Sequence, residues 1–122
     1  DISLEMITQA KKIFPKHKFI SKLEDSSYDY TIANGIFNVK LDCEDKKWKK
    51  HILETLCEIN QLSKKGFSFN LLTSYSDVEY MKDYLYYANP LELFDYCKKN
   101  FSRNISLLHD YDLYEFTIIV RK

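Results

Sequence analysis

The chain has 122 residues, of which 45% are hydrophobic and 30% are charged, and it contains only two glycines and two prolines. This length and composition predict one compact domain with its own core, and they exclude a disordered chain. Eighteen basic side chains balance eighteen acidic ones, so neither a strongly basic nucleic-acid binder nor an acidic DNA mimic is expected.

The cysteines predict a reducing compartment. Cys43, Cys57 and Cys97 are odd in number and widely spaced, which is not typical of a disulfide framework, so we expect a cytoplasmic protein. No apolar run reaches the ~18 residues of a membrane span, and no signal peptide is visible. The three histidines have no metal-ligand spacing and there is no glycine-rich phosphate loop, so no cofactor and no metal are expected.

The first half of the chain predicts a helix, a weak strand and a hairpin. "SLEMITQAKKIFP" has helical periodicity and ends at Pro15, and residues 17–24 alternate as a weaker strand would. In "YDYTIANGIFNVKLD", Asn34-Gly35 is a preferred two-residue turn between alternating segments. The register of this hairpin places Asp29 directly opposite Lys40.

A long helix follows over about 44–65, with Asp42 as N-cap and Gly66 as its C-terminal stop. "FSFNLLT" is then a strand. Ser76 and Glu79 form a capping box that predicts a tyrosine-rich helix over 77–88. Its core stripe is the set Val78, Met81, Leu85 and Ala88.

Asn89 and Pro90 predict a further short helix to about residue 100, because they are favourable cap and first-turn residues. "LYEFTIIVRK" alternates as a strand, with "ISLLHDYD" as its hairpin partner. The prediction is one α+β domain over residues 1–122. Its mixed, mainly antiparallel sheet has a central NG hairpin and is packed by an N-terminal helix, one long helix and a C-terminal helix pair.

The clustered tyrosines have two interpretations. They are either the rim of the core, with rings buried and hydroxyls in water, or a protein-binding surface, where tyrosine is enriched. Aspartates recur beside them, which suits a basic protein partner. The predicted partner-binding residues are Tyr80, Tyr84, Tyr86, Tyr87, Asp77, Asp83, Asp110 and Asp112.

The element order of residues 3–74, with Asp29 opposite "Asn38-Val39-Lys40", resembles the core of the PD-(D/E)xK nucleases. That resemblance implies a metal-dependent nuclease with Asp29, Asn38 and Lys40 at its catalytic positions. Asn38 stands where the family has a carboxylate, so Glu24 or Glu5 would have to supply the missing metal ligand.

No complete catalytic constellation is evident, so the sequence favours a non-enzymatic role. We predict a small intracellular inhibitor of a macromolecular partner, resembling in role an immunity protein, an antitoxin or an anti-defence protein of a mobile element. Two alternatives stay open: the nuclease, and a nucleic-acid-binding regulator that uses the lysines around Trp48. A homodimer through the C-terminal strand edge is a further expectation.

Overall fold

The computed structural model describes residues 3–22 and 27–122. The elements in chain order are α1 (Leu4–Ile13), β1 (Tyr28–Ala33), α2 (Asp45–Leu62), β2 (Ser63–Thr73), a 3₁₀ turn (Val78–Tyr80), β3 (Tyr87–Ala88), α3 (Pro90–Asn100), β4 (Asn104–Leu108) and β5 (Glu115–Arg121). Over the described ranges, each helix is too short or too polar to cross a membrane.

The strands form one mixed sheet in the order β1-β2-β5-β4, and β3 pairs with β2 beyond the end of β1. β1 runs parallel to β2 because α2 connects them as a crossover, and β3 is also parallel to β2. β5 is antiparallel to both β2 and β4. The predicted α+β domain with a mixed sheet is confirmed.

The core lies on one face of this sheet, beneath α2 and α3. Strand alternation sends every second side chain of β2 and β5 into it. Ile52, Leu56 and Ile59 of α2 cover this face, joined by Leu93 and Cys97 of α3. The sheet residues that they cover include Ala33, Phe67, Phe69, Leu71, Phe116, Ile118 and Val120.

Elements that local signals define are confirmed. Ser3 caps α1, and its side chain accepts a hydrogen bond from the Met6 N–H. Asn89 caps α3 by accepting from the N–H groups of Leu91 and Glu92, with Pro90 in the first turn. The final hairpin also forms, with Ile105 opposite Val120.

The predicted NG hairpin is wrong. Gly35 does turn the chain, with φ of 70°, but the segment after it does not pair with β1. Phe37 is fully buried and packs edge-on against Phe69, and the Trp48 indole N–H donates to the Phe37 carbonyl at 2.8 Å. This tertiary anchor draws the chain towards α2, and β1 pairs with β2 instead.

Gly66 is not the stop of α2, because that helix ends at Leu62 and Gly66 lies inside β2. A Cβ at this position would be 2.4 Å from the Val120 carbonyl oxygen, so the glycine permits close approach of β2 and β5. The predicted N-cap Asp42 is also wrong, since Glu44 occupies the N-cap position.

The predicted tyrosine helix and the helix pair that it would form are wrong. Residues 78–80 make only a 3₁₀ turn, and Val78, expected in the core, is 83% exposed. The backbone here bonds to other strands: the Tyr86 N–H donates to Asn38, and Leu85 bridges Val39. Sheet pairing therefore overrides helix propensity. Of the predicted strand 17–24, residues 17–22 are not a strand, and the remaining two lie outside the described residues.

Candidate active site

The carboxyl ends of the three parallel strands meet at one edge of the sheet. β1 ends at Ala33, β2 at Thr73 and β3 at Ala88. In sheets built from parallel strands, ligands bind outside this edge, where the loops diverge. We call this region the carboxyl edge; it comprises residues 33–38, 70–77 and 86–89 together with Tyr114 and Glu115.

The loop 34–38 at this edge is shaped by one glycine and one anchor. Gly35 adopts a positive φ, which a residue with a side chain enters only at a cost. Two residues later, Phe37 is sunk into the core, while Ile36 between them stays 53% exposed. The loop therefore presents Asn34, Gly35 and Ile36 outwards from a rigid base.

Two asparagines and a glutamate tie this loop to the sheet. The Gly35 N–H donates to Asn70 Oδ1 at 2.7 Å, and Asn70 Nδ2 donates to Glu115 Oε2 at 2.7 Å. Asn38 Nδ2 donates to the other oxygen, Glu115 Oε1, at 3.3 Å. The Asn38 side-chain oxygen accepts from the Leu72 N–H at 3.2 Å. We refer to Asn38, Asn70 and Glu115 as the amide–carboxylate network.

Glu115 brings a half-buried carboxylate to this edge. A carboxylate has about four lone-pair positions, so two amide donors leave acceptor capacity for a ligand. Its charge can also stabilise a nearby cation where the sheet excludes part of the solvent. The network thus combines loop positioning with a site of negative charge.

A cleft of about 430 Å³ opens beside the end of β2. Its walls include Thr73, Tyr75, His109, Asp110 and Asp112. The His109 ring lies 6.0 Å from the ring of Tyr75 and contacts Phe116 edge-on. The cleft therefore brings the Tyr75 ring, the His109 imidazole and two carboxylates to the carboxyl edge.

Tyr114 closes one side of the cleft. Its hydroxyl donates to Asp77 Oδ2 at 2.5 Å, and its ring lies 6.1 Å from the ring of Tyr80. The hydrogen bond to Asp77 is the main reason that the pKa of Tyr114 rises to about 12. Tyr114 is therefore a hydrogen-bond donor, not a base, at neutral pH.

The three residues predicted for nuclease chemistry do not come together. Asp29 pairs with Lys65 at 2.9 Å, and this hydrogen-bonded cation lowers the pKa of the Asp29 carboxyl. Lys40 lies 3.2 Å from Asp45, and Asn38 belongs to the network. Within residues 3–22 and 27–122, no group of three or more His, Cys, Asp or Glu side chains could hold a metal ion. Glu24 lies outside the described residues.

The predicted partner-binding residues do not form one surface. Tyr86 is 8% exposed and belongs to the core, so its side chain is not available to a partner as predicted. Tyr84 and Asp83 line a groove with Lys40, away from the cleft.

Four of the predicted residues, Asp77, Tyr80, Asp110 and Asp112, lie at or beside the cleft. Tyr87 is half-buried, and its hydroxyl accepts from the Lys82 N–H at 3.0 Å. Binding of a basic protein partner by the exposed members of this set stays a prediction.

Sequence reasoning missed Asn70, Glu115 and His109 as site residues. Asn70 carries a visible signal, because an amide side chain inside the apolar strand "FSFNLLT" is disfavoured unless it has partners. The positions of Glu115 and His109 at the edge depend on the pairing of β2 with β5, which no local pattern specifies.

Comparison with solved structures finds a protein with the same fold. The chain superposes on magnesium protoporphyrin IX methyltransferase from Synechocystis, solved with bound SAM, with a TM-score of 0.59 and 12% identity. The likeness covers 100% of this chain, which spans only 57% of that one. At this identity the likeness establishes the fold alone.

A curated relative establishes the family. The chain is 51% identical over 126 aligned residues to the protein named "Putative methyltransferase Rv1506c" of Mycobacterium tuberculosis. The match covers 100% of this chain and 76% of the relative. The chain therefore belongs to the same family as this protein. No protein-family model matches the sequence.

These findings overturn the function predicted from the sequence. The expectation of a non-catalytic inhibitor, whether immunity protein, antitoxin or anti-defence protein, is wrong, because the chain belongs to a family whose named member is a methyltransferase. The nuclease and nucleic-acid-binding alternatives are wrong for the same reason. Length, composition and charge do not by themselves distinguish a methyltransferase of this size from a binding protein.

Proposed function

We propose that this protein is a methyltransferase that uses S-adenosylmethionine, with the carboxyl edge as the place where methyl donor and acceptor meet. The observation that carries the proposal is the 51% identity, across the whole chain, to a relative named as a methyltransferase. The shared fold of a methyltransferase solved with bound SAM supports the choice of donor.

The residues at the carboxyl edge fit such a donor. S-adenosylmethionine, when bound, supplies an electrophilic methyl group on a positively charged sulfur. Oxygen acceptors and a carboxylate suit a cation, and the edge offers Glu115 with the amides of Asn34, Asn38 and Asn70. The donor has no phosphate, so it does not require the glycine-rich phosphate loop that the 122 residues lack.

The chain's own residues then have distinct tasks. The loop 34–38 offers the exposed Asn34 amide and the apolar Ile36 side chain to whatever binds at the edge. The amide–carboxylate network holds this loop in a fixed position relative to the sheet. An oxygen or nitrogen acceptor loses a proton as it gains the methyl group, and we assign the task of taking that proton to His109, whose imidazole lines the cleft.

The proposal places the reaction in the cytoplasm. All three cysteines are free, and Cys97 is fully buried. Burial raises the pKa of the Cys97 thiol to about 12, so it stays protonated and is unsuited to act as a nucleophile. Free cysteines fit a reducing compartment.

Calorimetric titration of the protein with S-adenosylmethionine tests the proposal. We expect saturable one-to-one binding that S-adenosylhomocysteine abolishes and that equimolar ATP leaves intact. Glu115→Gln should weaken binding by about tenfold, the effect of losing one charge-assisted contact. The matched control Glu58→Gln, at an exposed position of α2, should bind as the wild type does. Absence of binding by the folded wild-type protein would refute the proposal.

A further inference from the structure

Asn70 is a polar residue inside an apolar strand, where an amide side chain is unfavourable unless it is hydrogen-bonded. It lies in β2 between Phe69 and Leu71, which are 1% and 0% exposed. Its own side chain is half-buried on the opposite face of the strand. A half-buried amide costs free energy unless both ends are hydrogen-bonded, and here both ends are.

The geometry also fixes the orientation of the Asn70 amide. The Gly35 N–H can only donate, so it must meet Oδ1, and Nδ2 must then face the acceptor Glu115. Each hydrogen bond from the loop to Glu115 therefore has a fixed donor and a fixed acceptor. Exchanging a donor for an acceptor at one residue alone breaks the network.

The network lies where the sheet opens. Pairing between β1 and β2 ends at Ala33 with Phe69, and β3 joins β2 only at Leu72. Between these points no strand among residues 3–22 and 27–122 pairs with β2 on that side. Side-chain amides take the place of a neighbouring strand: Asn70 holds the Gly35 N–H, and Asn38 holds the Leu72 N–H.

We infer that Asn70 and Asn38, joined through Glu115, are positioning residues that hold the loop 34–38 in the conformation that receives the methyl donor. This inference rests on the proposed function. It assigns a role to side chains that need not touch the donor themselves. Without them the remaining contacts lie at the end of the loop, where Phe37 is buried and the Tyr86 N–H donates to the Asn38 carbonyl, and residues 34–36 lose their fixed position over the sheet.

A charge-swapped double variant tests this role. Asn70→Asp keeps an acceptor for the Gly35 N–H but removes the donor to Glu115 and places two carboxylates together. Adding Glu115→Gln restores a donor to residue 70 and keeps an acceptor for Asn38, so the network re-forms with reversed polarity. Net charge then equals that of the wild type.

Two measurements read out the loop and its ligand: amide hydrogen exchange at Gly35 by nuclear magnetic resonance, and the Kd for S-adenosylmethionine. We expect Asn70→Asp to accelerate exchange at Gly35 and to raise the Kd by about tenfold, as expected for one lost charge-assisted hydrogen bond. The double variant should return the exchange rate at Gly35 to within about twofold of the wild type. The control Asn104→Asp, the same change at an exposed residue of β4, should alter neither.

The outcomes separate the two proposals. If the wild type binds the donor but Asn70→Asp leaves the Kd or the Gly35 exchange rate unchanged, the positioning role is refuted. A double variant that remains folded by circular dichroism but still shows accelerated exchange at Gly35 would also refute it. If the wild type itself binds no donor, the proposed function fails, and the positioning role fails with it.

Discussion

Phe37→Ala is the perturbation that most directly probes how the loop 34–38 is built. Phe37 is fully buried, packs edge-on against Phe69 and lies where Trp48 bonds to its carbonyl. Truncating a buried phenylalanine to alanine costs about 3–5 kcal/mol, from lost transfer free energy and the cavity left behind. That is a large part of the ~5–15 kcal/mol that stabilises a typical domain.

Urea unfolding followed by tryptophan fluorescence measures this cost, because Trp48 is the chain's single tryptophan and contacts the perturbed residue. The neighbouring Ile36 offers a matched control, since it is 53% exposed. Ile36→Ala should change the free energy of unfolding by no more than about 0.5 kcal/mol. A loss below about 1 kcal/mol for Phe37→Ala would refute the view that this side chain anchors the loop.

Two further predictions concern the sheet and the cleft. Gly66→Ala should lower the free energy of unfolding by about 1–3 kcal/mol, because the added methyl meets the Val120 carbonyl, and an unchanged melting temperature would contradict that close approach. Tyr114 should ionise only near pH 12, above the ordinary value of 10.0, because its protonated form donates to Asp77. Asp77→Asn should therefore bring one tyrosine's ionisation to lower pH in an ultraviolet titration, and identical curves would contradict the hydrogen bond.

The sequence predicts well those elements whose signals are local. α1 follows from its apolar periodicity, and α3 follows from Asn89 and Pro90, because capping and φ restriction act within a few residues. The β4–β5 hairpin follows from alternation in "LYEFTIIVRK". None of these elements needs knowledge of a distant partner.

Elements that depend on distant partners were not predictable in the same way. Asn34-Gly35 does turn the chain, but whether a hairpin forms depends on Phe37 finding Phe69 across 32 positions of sequence, as well as on β1 pairing with β2. The tyrosine segment had helical spacing, yet its backbone completes the sheet edge. Long-range pairing decided both outcomes.

The candidate site shows the same division. Asn38 was singled out from the sequence, but for a metal site that the structure does not form. Asn70 and Glu115 lie 45 positions apart and meet only because β5 returns beside β2. Asp110 and Asp112 of the cleft were predicted as site residues because acidic residues recur beside the tyrosines. His109, which directly follows β4 in the chain, was not predicted as a site residue.

The proposed function requires the methyl donor to bind at the carboxyl edge. Ultraviolet cross-linking of the protein with methyl-labelled S-adenosylmethionine, followed by trypsin digestion and peptide sequencing, tests it most directly. We expect label in the peptide between Lys22 and Lys40, which contains the loop 34–38, and we expect excess S-adenosylhomocysteine to remove that label. Label confined to the α2 peptide between Lys50 and Lys64, or unaffected by the competitor, would contradict it.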